Sequence, residues 1–178
     1  FIFKQKAADE ITAEDIKIFY HCYQLTYVKR NRLGYLTLEF FQQIIKTMPE
    51  QILLVQALHE DRSDCEKIVA SALYFKDANN LYGRYWGCLA EYDSLHFECC
   101  YYQGIEYCID NHIHHFDPGT QGEHKISRGF QPTICSSQHW IAHPQFSDAI
   151  DDFIKDENDY IHNYARQVIE HLPFKQTT

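Results

Sequence analysis

Three strand-like runs follow one another between residues 51 and 86, and only short turns separate them. The run 51–59 is mostly apolar, and the runs 67–75 and 81–86 follow it. A charged turn separates the first two, and Ala78-Asn-Asn80 separates the last two, where asparagine tolerates the positive φ of a tight hairpin. Short connections of this kind favour antiparallel pairing. The chain is therefore predicted to build its core around a central antiparallel stretch of sheet.

Helices are predicted on both sides of this stretch. Thr12 and Thr37 can each cap the start of a helix, and Pro49 marks the end of the second one. Apolar residues at helical spacing predict a third helix over 95–112 and a long last helix that opens at Pro144. These helices provide the apolar faces that can cover a sheet.

Further strand-like segments complete the pattern. Residues 1–6 and 114–117 are short segments of this type, and 133–141 forms another after the glycine-containing loop 118–130. Strands that alternate with helices around one antiparallel stretch favour a layered architecture. The sequence predicts a single α/β (α+β) domain over residues 1–178, with a mixed central sheet flanked by helices.

The net negative charge of the chain argues against nucleic acids as general binding partners. The 178 residues include 16 Lys and Arg against 25 Asp and Glu, which gives a formal net charge of −9. Nucleic-acid binders usually neutralise phosphates with a basic face, so this domain is not expected to bind nucleic acids in general. No apolar run approaches the roughly 20 residues of a membrane-spanning helix, so no membrane span is expected.

The cysteines and histidines give no sign of a metal site. The 7 cysteines are odd in number and form no CxxC pair, which favours a reducing, cytoplasmic location over a disulfide framework. Neighbouring residues of a strand point to opposite faces, so at most His112 and His114 could share a metal. We expect no metal ligands here, and we expect Cys99 and Cys100 to pack in the core.

The run 81–86 contains the first candidate binding residues. Strict alternation would place Tyr82, Arg84 and Trp86 on one face and Tyr85 on the other. Tyr82 and Arg84 are predicted to bind substrate, since an arginine in an apolar strand needs a carboxylate or an anionic ligand. For Trp86, core packing is the alternative to lining a cleft.

The third helix contains a candidate general base. Glu98, Tyr102 and Glu106 follow one another at i, i+4 steps, and Tyr102 is expected to share the apolar stripe of the helix. A partly buried carboxylate there can take a proton from an attacking amine, so Glu98 is predicted to be catalytic and Tyr102 to bind substrate. The alternative is a structural ion pair between Glu98 and Arg84.

Several short sequence motifs resemble those of one bacterial protein group. In order along the chain they are Leu81-Tyr-Gly-Arg-Tyr-Trp-Gly87, Leu95-His-Phe-Glu98, Tyr101-Tyr-Gln103 with Glu106, Gly122-Glu-His-Lys125, Arg128-Gly-Phe130 and His139-Trp-Ile141. These motifs resemble those of the FemAB-like proteins over essentially the whole chain. The order of the predicted strands and helices is similar to that of the GNAT-like acyl-CoA N-acyltransferase fold.

The resemblance implies an acyltransferase domain. In the wider Fem group, two such domains move an amino acid from aminoacyl-tRNA to a peptidoglycan precursor. By this resemblance the chain is expected to be the C-terminal domain of a longer protein, with its own N-terminal domain missing. It is expected to transfer an acyl or aminoacyl group to the amine of a small-molecule or cell-wall precursor acceptor.

The segment 119–130 is the best candidate region for the chemistry. Its glycines allow close backbone approach, and its polar residues include two cations and an imidazole. By resemblance, Lys125 matches a lysine of the Fem group, and it is expected to be an exposed loop residue. Lys125 and His124 are predicted to be catalytic. Gln121, Glu123 and Arg128 are predicted to bind substrate, and the alternative for the whole segment is a solvated surface loop.

The turn 88–94 bears on the acyl donor. Acetyl-CoA enzymes of this fold have a glycine-rich loop there that wraps a pyrophosphate. This chain has no glycine in that turn, and it has Glu91 and Asp93 instead. Ordinary CoA binding is therefore not expected, no cofactor is assigned, and aminoacyl-tRNA or acyl-CoA remain the two candidate donors.

Two functions follow from these residues. The first is an acyl- or aminoacyltransferase, and the second is a non-catalytic module that recognises a cell-wall precursor or a partner protein. Convergence of Glu98, Arg84 and Lys125 on one site would favour the enzyme. Their scatter over the surface would favour the binding module.

Overall fold

A computed structural model describes residues 1–61, 67–120 and 122–174 of the chain. The chain divides into two compact units, Phe1–Gly119 and Thr120–Thr178. The single domain over residues 1–178 stays a prediction.

The first unit is built on one five-stranded sheet in the order β1-β2-β3-β4-β5. Strands β1 to β4 pair antiparallel, and β5 pairs parallel to β4, so the predicted mixed sheet is confirmed. The three consecutive strand-like runs of the sequence form β2, β3 and β4. The strands are Ile2–Ala7 (β1), Ile52–Leu58 (β2), Ile68–Lys76 (β3), Asn80–Cys88 (β4) and His115–Asp117 (β5).

Helices α1 (Ala13–Val28) and α2 (Leu38–Thr47) begin at the two predicted caps. The Thr12 hydroxyl accepts a hydrogen bond from the Asp15 backbone N–H at 3.1 Å, and the Asp15 carboxylate accepts one from the Thr12 backbone N–H at 2.8 Å. This reciprocal box satisfies backbone donors that a helix start leaves open. The same carboxylate also accepts from Lys6 at 2.8 Å and from Gln56 at 2.9 Å, which joins α1 to β1 and β2.

The sheet is covered on both faces, as the alternation along β2 shows. Ile52 and Leu54 belong to a core cluster with α1 and α2, whereas Leu53 and Val55 belong to a second cluster. That second cluster contains the helical segment 95–110, which consists of α3 (Leu95–Phe97), a π turn (Glu98–Tyr102) and α4 (Gln103–Asp110). The predicted layers of helices and sheet are therefore present.

The second unit contains a 3₁₀ helix, Glu123–Arg128, and the long helix α5, Pro144–Glu170. The proline opens α5 as predicted. The strand predicted over 133–141 is wrong, because the backbone there has no regular structure and forms no strand pairing in the described chain. A strand-like segment does not form a strand when no neighbouring strand completes its hydrogen bonds.

Candidate functional site

A π turn interrupts the helical segment 95–110 and changes which side chains face the sheet. The backbone N–H of Gln103 bonds the carbonyl of Glu98, five residues earlier. The turn adds one residue, which rotates the rest of the helix by about 100°. Tyr102 is therefore 46% exposed. The prediction that Tyr102 shares the apolar stripe is wrong, because the stripe continues through Gly104 and Tyr107 instead.

Gln103 holds the two carboxylates of this segment. Its side-chain amide nitrogen donates to Glu98 Oε1 and to Glu106 Oε2, each at 3.0 Å. Its amide oxygen accepts from Gln5 Nε2 on β1, also at 3.0 Å. Gln103 is only 8% exposed, so the donor that joins the carboxylates is fixed by the core, while Glu106 is exposed. The structure thus brings Glu98 and Glu106 together.

Gln103 was not among the site residues predicted from the sequence, although one signal pointed to it. A glutamine on the buried side of a helix needs partners for its amide, and carboxylates lie five residues before and three residues after it. In a regular α-helix, side chains three or four residues apart are neighbours, so Glu98 and Gln103 would not be expected to meet. The π turn places side chains five residues apart on the same face of the helix.

A β-bulge in β4 divides the other predicted binding residues. Leu73 pairs with Tyr85 and the next residue of β3, Tyr74, pairs with Gly83, so Arg84 is the extra residue. Trp86 therefore packs against the cluster that contains α3, whereas Tyr85 packs against that of α1. The predicted strict alternation is wrong beyond Gly83, because a bulge shifts the side chains that follow it to opposite faces.

The three candidate residues of β4 contact side chains of the first unit. The Arg84 guanidinium lies over the Tyr85 ring, 5.5 Å from its centroid, a cation–π arrangement. The Tyr82 hydroxyl donates to Asp77 Oδ2 at 3.4 Å, and its side chain is partly exposed. Trp86 packs against the core, which confirms the core-packing alternative for that residue.

Glu98 and Arg84 are held by different partners. The bond between Gln103 and Gln5 ties the Glu98 carboxylate to the β1 side of the sheet, and two strands separate β1 from β4. Neighbouring strands are about 4.8 Å apart, so β1 and β4 are separated by roughly 14 Å. Within the described residues no ion pair joins Glu98 to Arg84, and the structural ion pair considered for them is absent.

In the second unit, the 3₁₀ helix carries four predicted site residues. Gly122 and Gly129 flank it with φ angles of 109° and 88°, which favour glycine. Lys125 is only 9% exposed, so the expected exposed loop lysine is wrong, because the segment folds into a helical turn that buries it. Residue Gln121 lies outside the described residues.

The neighbours of Lys125 form contacts within the second unit. Arg128 Nη1 donates to the His124 carbonyl at 2.6 Å, and the Tyr164 hydroxyl donates to Glu123 Oε1 at 3.0 Å. Burial and the positive charges of Arg128 and Lys125 hold the pKa of His124 below its usual value. A neutral imidazole can accept a proton near neutral pH, which is compatible with the predicted role of His124.

The turn between β4 and α3 is acidic and carries its own ion pair. Lys29 Nζ lies 2.9 Å from Glu91 Oε1, and this hydrogen bond lowers the pKa of Glu91. Ser94 precedes α3 with a φ of 62°, and its side chain does not cap the helix. The turn has no glycine whose backbone could approach a pyrophosphate, and it carries acidic side chains instead. Weak CoA binding therefore stays a prediction.

The described residues show neither a cluster of metal ligands nor a membrane-spanning helix. They contain no group of three or more His, Cys, Asp or Glu side chains that could hold a metal ion. No described helix combines the length and the apolar character that crossing a membrane requires.

Comparisons with known proteins agree with this fold. The family model for FemAB-like proteins, described as peptidoglycan biosynthesis/recognition, matches residues 1–176. No curated protein matches the chain. Among solved structures, a probable acetyltransferase is similar over 80% of this chain and 99% of its own, with 8% identity and a TM-score of 0.54.

Two further structures have similar coverage. A GNAT family acetyltransferase of Staphylococcus aureus matches 79% of this chain and 100% of its own, with 9% identity and a TM-score of 0.50. A mutant of the BH1408 protein from Bacillus halodurans matches 79% of this chain and 99% of its own, with 11% identity and a TM-score of 0.54. At these identities the likenesses show the fold alone, and the predicted GNAT-like fold is confirmed.

Proposed function

Because the chain belongs to the FemAB-like family, we propose that it is an N-acyltransferase domain acting on an amine of a peptidoglycan precursor. The family description supports the class of acceptor, and the names of the similar solved structures support acyl transfer. The described cysteines are free thiols, which supports a cytoplasmic location.

The carboxylate pair joined by Gln103 carries the proposal. In amide formation the amine nitrogen attacks the acyl carbonyl, and the attacking nitrogen must lose a proton. Glu98 takes that proton, and Gln103 orients the Glu98 carboxylate through the 3.0 Å hydrogen bond. The tetrahedral oxyanion then collapses, the new amide forms, and the leaving group departs with the proton that Glu98 took from the amine.

The remaining predicted residues are assigned to the donor and the acceptor. Within the second unit, Lys125 is proposed to hold an anionic part of the donor, and His124 is proposed to accept a proton. Tyr82, Arg84 and Tyr102 of the first unit are proposed to bind substrate. For the second unit, the proposed substrate-binding residues are Gln121, Glu123 and Arg128. The donor is proposed to be an aminoacyl ester rather than a CoA thioester, since the turn 88–94 has no glycine.

Amide formation can be followed by mass spectrometry of the acceptor. Purified protein is incubated with a peptidoglycan precursor and, in separate reactions, with aminoacyl-tRNA or acetyl-CoA. Glu98→Gln should lower the rate by about a hundredfold or more, since a hundredfold is the lower end of what one general base usually contributes. The matched control is Glu14→Gln, a helix carboxylate that is exposed and pairs only with Lys17 in the described chain. Equal rates for the two variants would exclude Glu98 as the base.

A binding module is the second candidate, and one observation favours it. Glu98 is tied to the β1 side of the sheet, whereas Arg84 belongs to β4 and stacks on Tyr85. Calorimetric titration with the precursor distinguishes the two functions. Binding without product from either donor would support the module, and product formation would support the enzyme.

A further inference from the structure

The turn that follows α1 concentrates positive charge in an acidic chain. Residues 16–38 contain four Lys or Arg residues and no Asp or Glu, although the whole chain contains 25 acidic residues. Lys29, Arg30 and Arg32 are all exposed. Lys29 pairs with Glu91, and the described chain shows no ion pair for Arg30 or Arg32. The turn thus presents a local field opposite in sign to that of the chain as a whole.

Exposed apolar side chains lie among these cations. Val28 is 51% exposed, Leu33 is 82% exposed, and Tyr35 is 64% exposed. Single exposed apolar residues are normal on protein surfaces, but a group of them rimmed by charge marks an interaction surface. We call residues 28–35 the basic turn. It combines the two properties of a surface that attaches to charged amphipathic partners.

The basic turn is held in place by its own backbone. The Arg32 N–H bonds the Tyr27 carbonyl at 3.0 Å, across Asn31 with its φ of 54°. This is the pattern of a Schellman helix end. The Gly34 N–H bonds Gln24 Oε1 at 3.1 Å, so the turn is tied to α1 on both sides of Leu33. The exposed side chains are therefore presented by an ordered backbone, which lowers the entropic cost of binding.

We propose that the basic turn docks on an anionic lipid surface. Arg30 and Arg32 meet the headgroups, and Leu33 enters the boundary between headgroups and acyl chains, as in other peripheral attachment sites. This proposal does not depend on the proposed acyl transfer.

The side chains favour a bilayer over a single-stranded RNA. RNA binding of that kind depends on exposed aromatic faces that stack on bases. The most exposed side chain here is the aliphatic Leu33. The Tyr35 ring meets the Tyr27 ring edge to face at 5.9 Å, and the Tyr35 hydroxyl lies 3.3 Å from that of Tyr85. An exposed aliphatic side chain that directly follows two exposed arginines in the chain fits a lipid surface better than a base.

Vesicle sedimentation tests the proposal. The chain should bind vesicles that contain phosphatidylglycerol and should not bind pure phosphatidylcholine vesicles. Arg30→Gln with Arg32→Gln should lower the partition coefficient about thirtyfold, since each cation near an anionic surface contributes about 1 kcal/mol. Leu33→Ser should lower it about tenfold through the lost apolar transfer. Higher ionic strength should weaken binding further.

Matched controls lie elsewhere on the first unit. Ile109 is 68% exposed and stands beside Asp110, so Ile109→Ser removes a comparable apolar side chain from an acidic surface. Lys46→Gln removes an exposed cation outside the basic turn. Both controls should retain wild-type partitioning, and thermal melts should show that all variants are folded.

Several results would overturn the proposal. They are absence of vesicle binding, equal binding to neutral vesicles, or equal losses in the variants and their controls. Binding to a single-stranded oligoribonucleotide that depends on Arg30 and Arg32, without vesicle binding, would assign the basic turn to RNA and reject the lipid surface.

Discussion

Gly87 is the position where the packing of α1 on β4 allows no side chain. A Cβ atom on Gly87 would lie 2.8 Å from the Tyr23 backbone nitrogen and closer still to the Cys22 carbonyl group. Ordinary contact begins at 3.4 Å, so α1 would have to move away by well over half an ångström. That movement would also stretch the 2.9 Å hydrogen bond from the Thr26 hydroxyl to the Trp86 carbonyl. Gly87→Ala should therefore loosen one whole face of the sheet.

The expected cost follows from two contributions. Overpacking that displaces the α1 backbone costs about 1–3 kcal/mol, and the stretched hydrogen bond adds about 1 kcal/mol. We expect Gly87→Ala to lower the free energy of unfolding by about 3 kcal/mol. Gly83→Ala, in the same strand, is the matched control because its Cβ would meet the nearest atom, Pro118 Cα, at 3.6 Å. The control should leave stability unchanged or raise it by up to about 1 kcal/mol, because alanine restricts the unfolded chain more than glycine does.

Urea unfolding followed by tryptophan fluorescence is the assay. The chain has 2 tryptophans, Trp86 in β4 and Trp140 in the second unit. In a Trp140→Phe background the signal reports on the first unit alone. Equal unfolding midpoints for Gly87→Ala and Gly83→Ala would refute the reasoning about the contact between α1 and β4.

Three further predictions concern charge and ligand binding. Burial raises the pKa of Asp15, but hydrogen bonds from Lys6, Thr12 and Gln56 outweigh it and lower the pKa from 3.8 to about 2. This lowered pKa contributes about 2 kcal/mol to the free energy of unfolding above pH 4, and the contribution is lost as the pH falls toward 2. When the free energy of unfolding from urea titrations is plotted against pH, Asp15→Asn should therefore show a smaller decrease between pH 4 and pH 2. Lys125→Ala should lower the melting temperature, because Lys125 is buried, and a melting temperature like that of Lys155→Ala would contradict this. Acetyl-CoA should bind more weakly than about 10 micromolar in a calorimetric titration, near −7 kcal/mol, and tighter binding would restore CoA as a donor.

Local signals in the sequence were enough to predict most of the elements. The caps at Thr12 and Thr37 and the proline at Pro144 act through the neighbouring backbone, so they are readable without tertiary structure. The antiparallel order of β2, β3 and β4 also follows from short connections. The segment 133–141 shows the limit of local signals. A strand forms only beside another strand, and the local sequence does not identify that neighbour.

The candidate site was only partly predictable for a related reason. Glu98 was selected from the sequence, but its partner Gln103 depends on the π turn, and the faces of the sheet that Tyr85 and Trp86 occupy depend on a bulge. The buried position of Lys125 likewise depends on how its segment turns. Each of these features depends on the insertion or rotation of a single residue, which leaves the hydrophobic pattern almost unchanged.

The sequence alone determined the order of strands and helices, because capping groups and side-chain periodicity act over a few residues. Tertiary structure decided which side chains face each other. The Tyr74 hydroxyl hydrogen-bonds the Cys99 carbonyl within the π turn, and Gly104 lets the helix lie so close to Phe116 that a Cβ would be 2.6 Å from its ring. Contacts between residues far apart in the chain select one rotation of the helix over another, and this selection brings Glu98 and Glu106 together on the amide of Gln103.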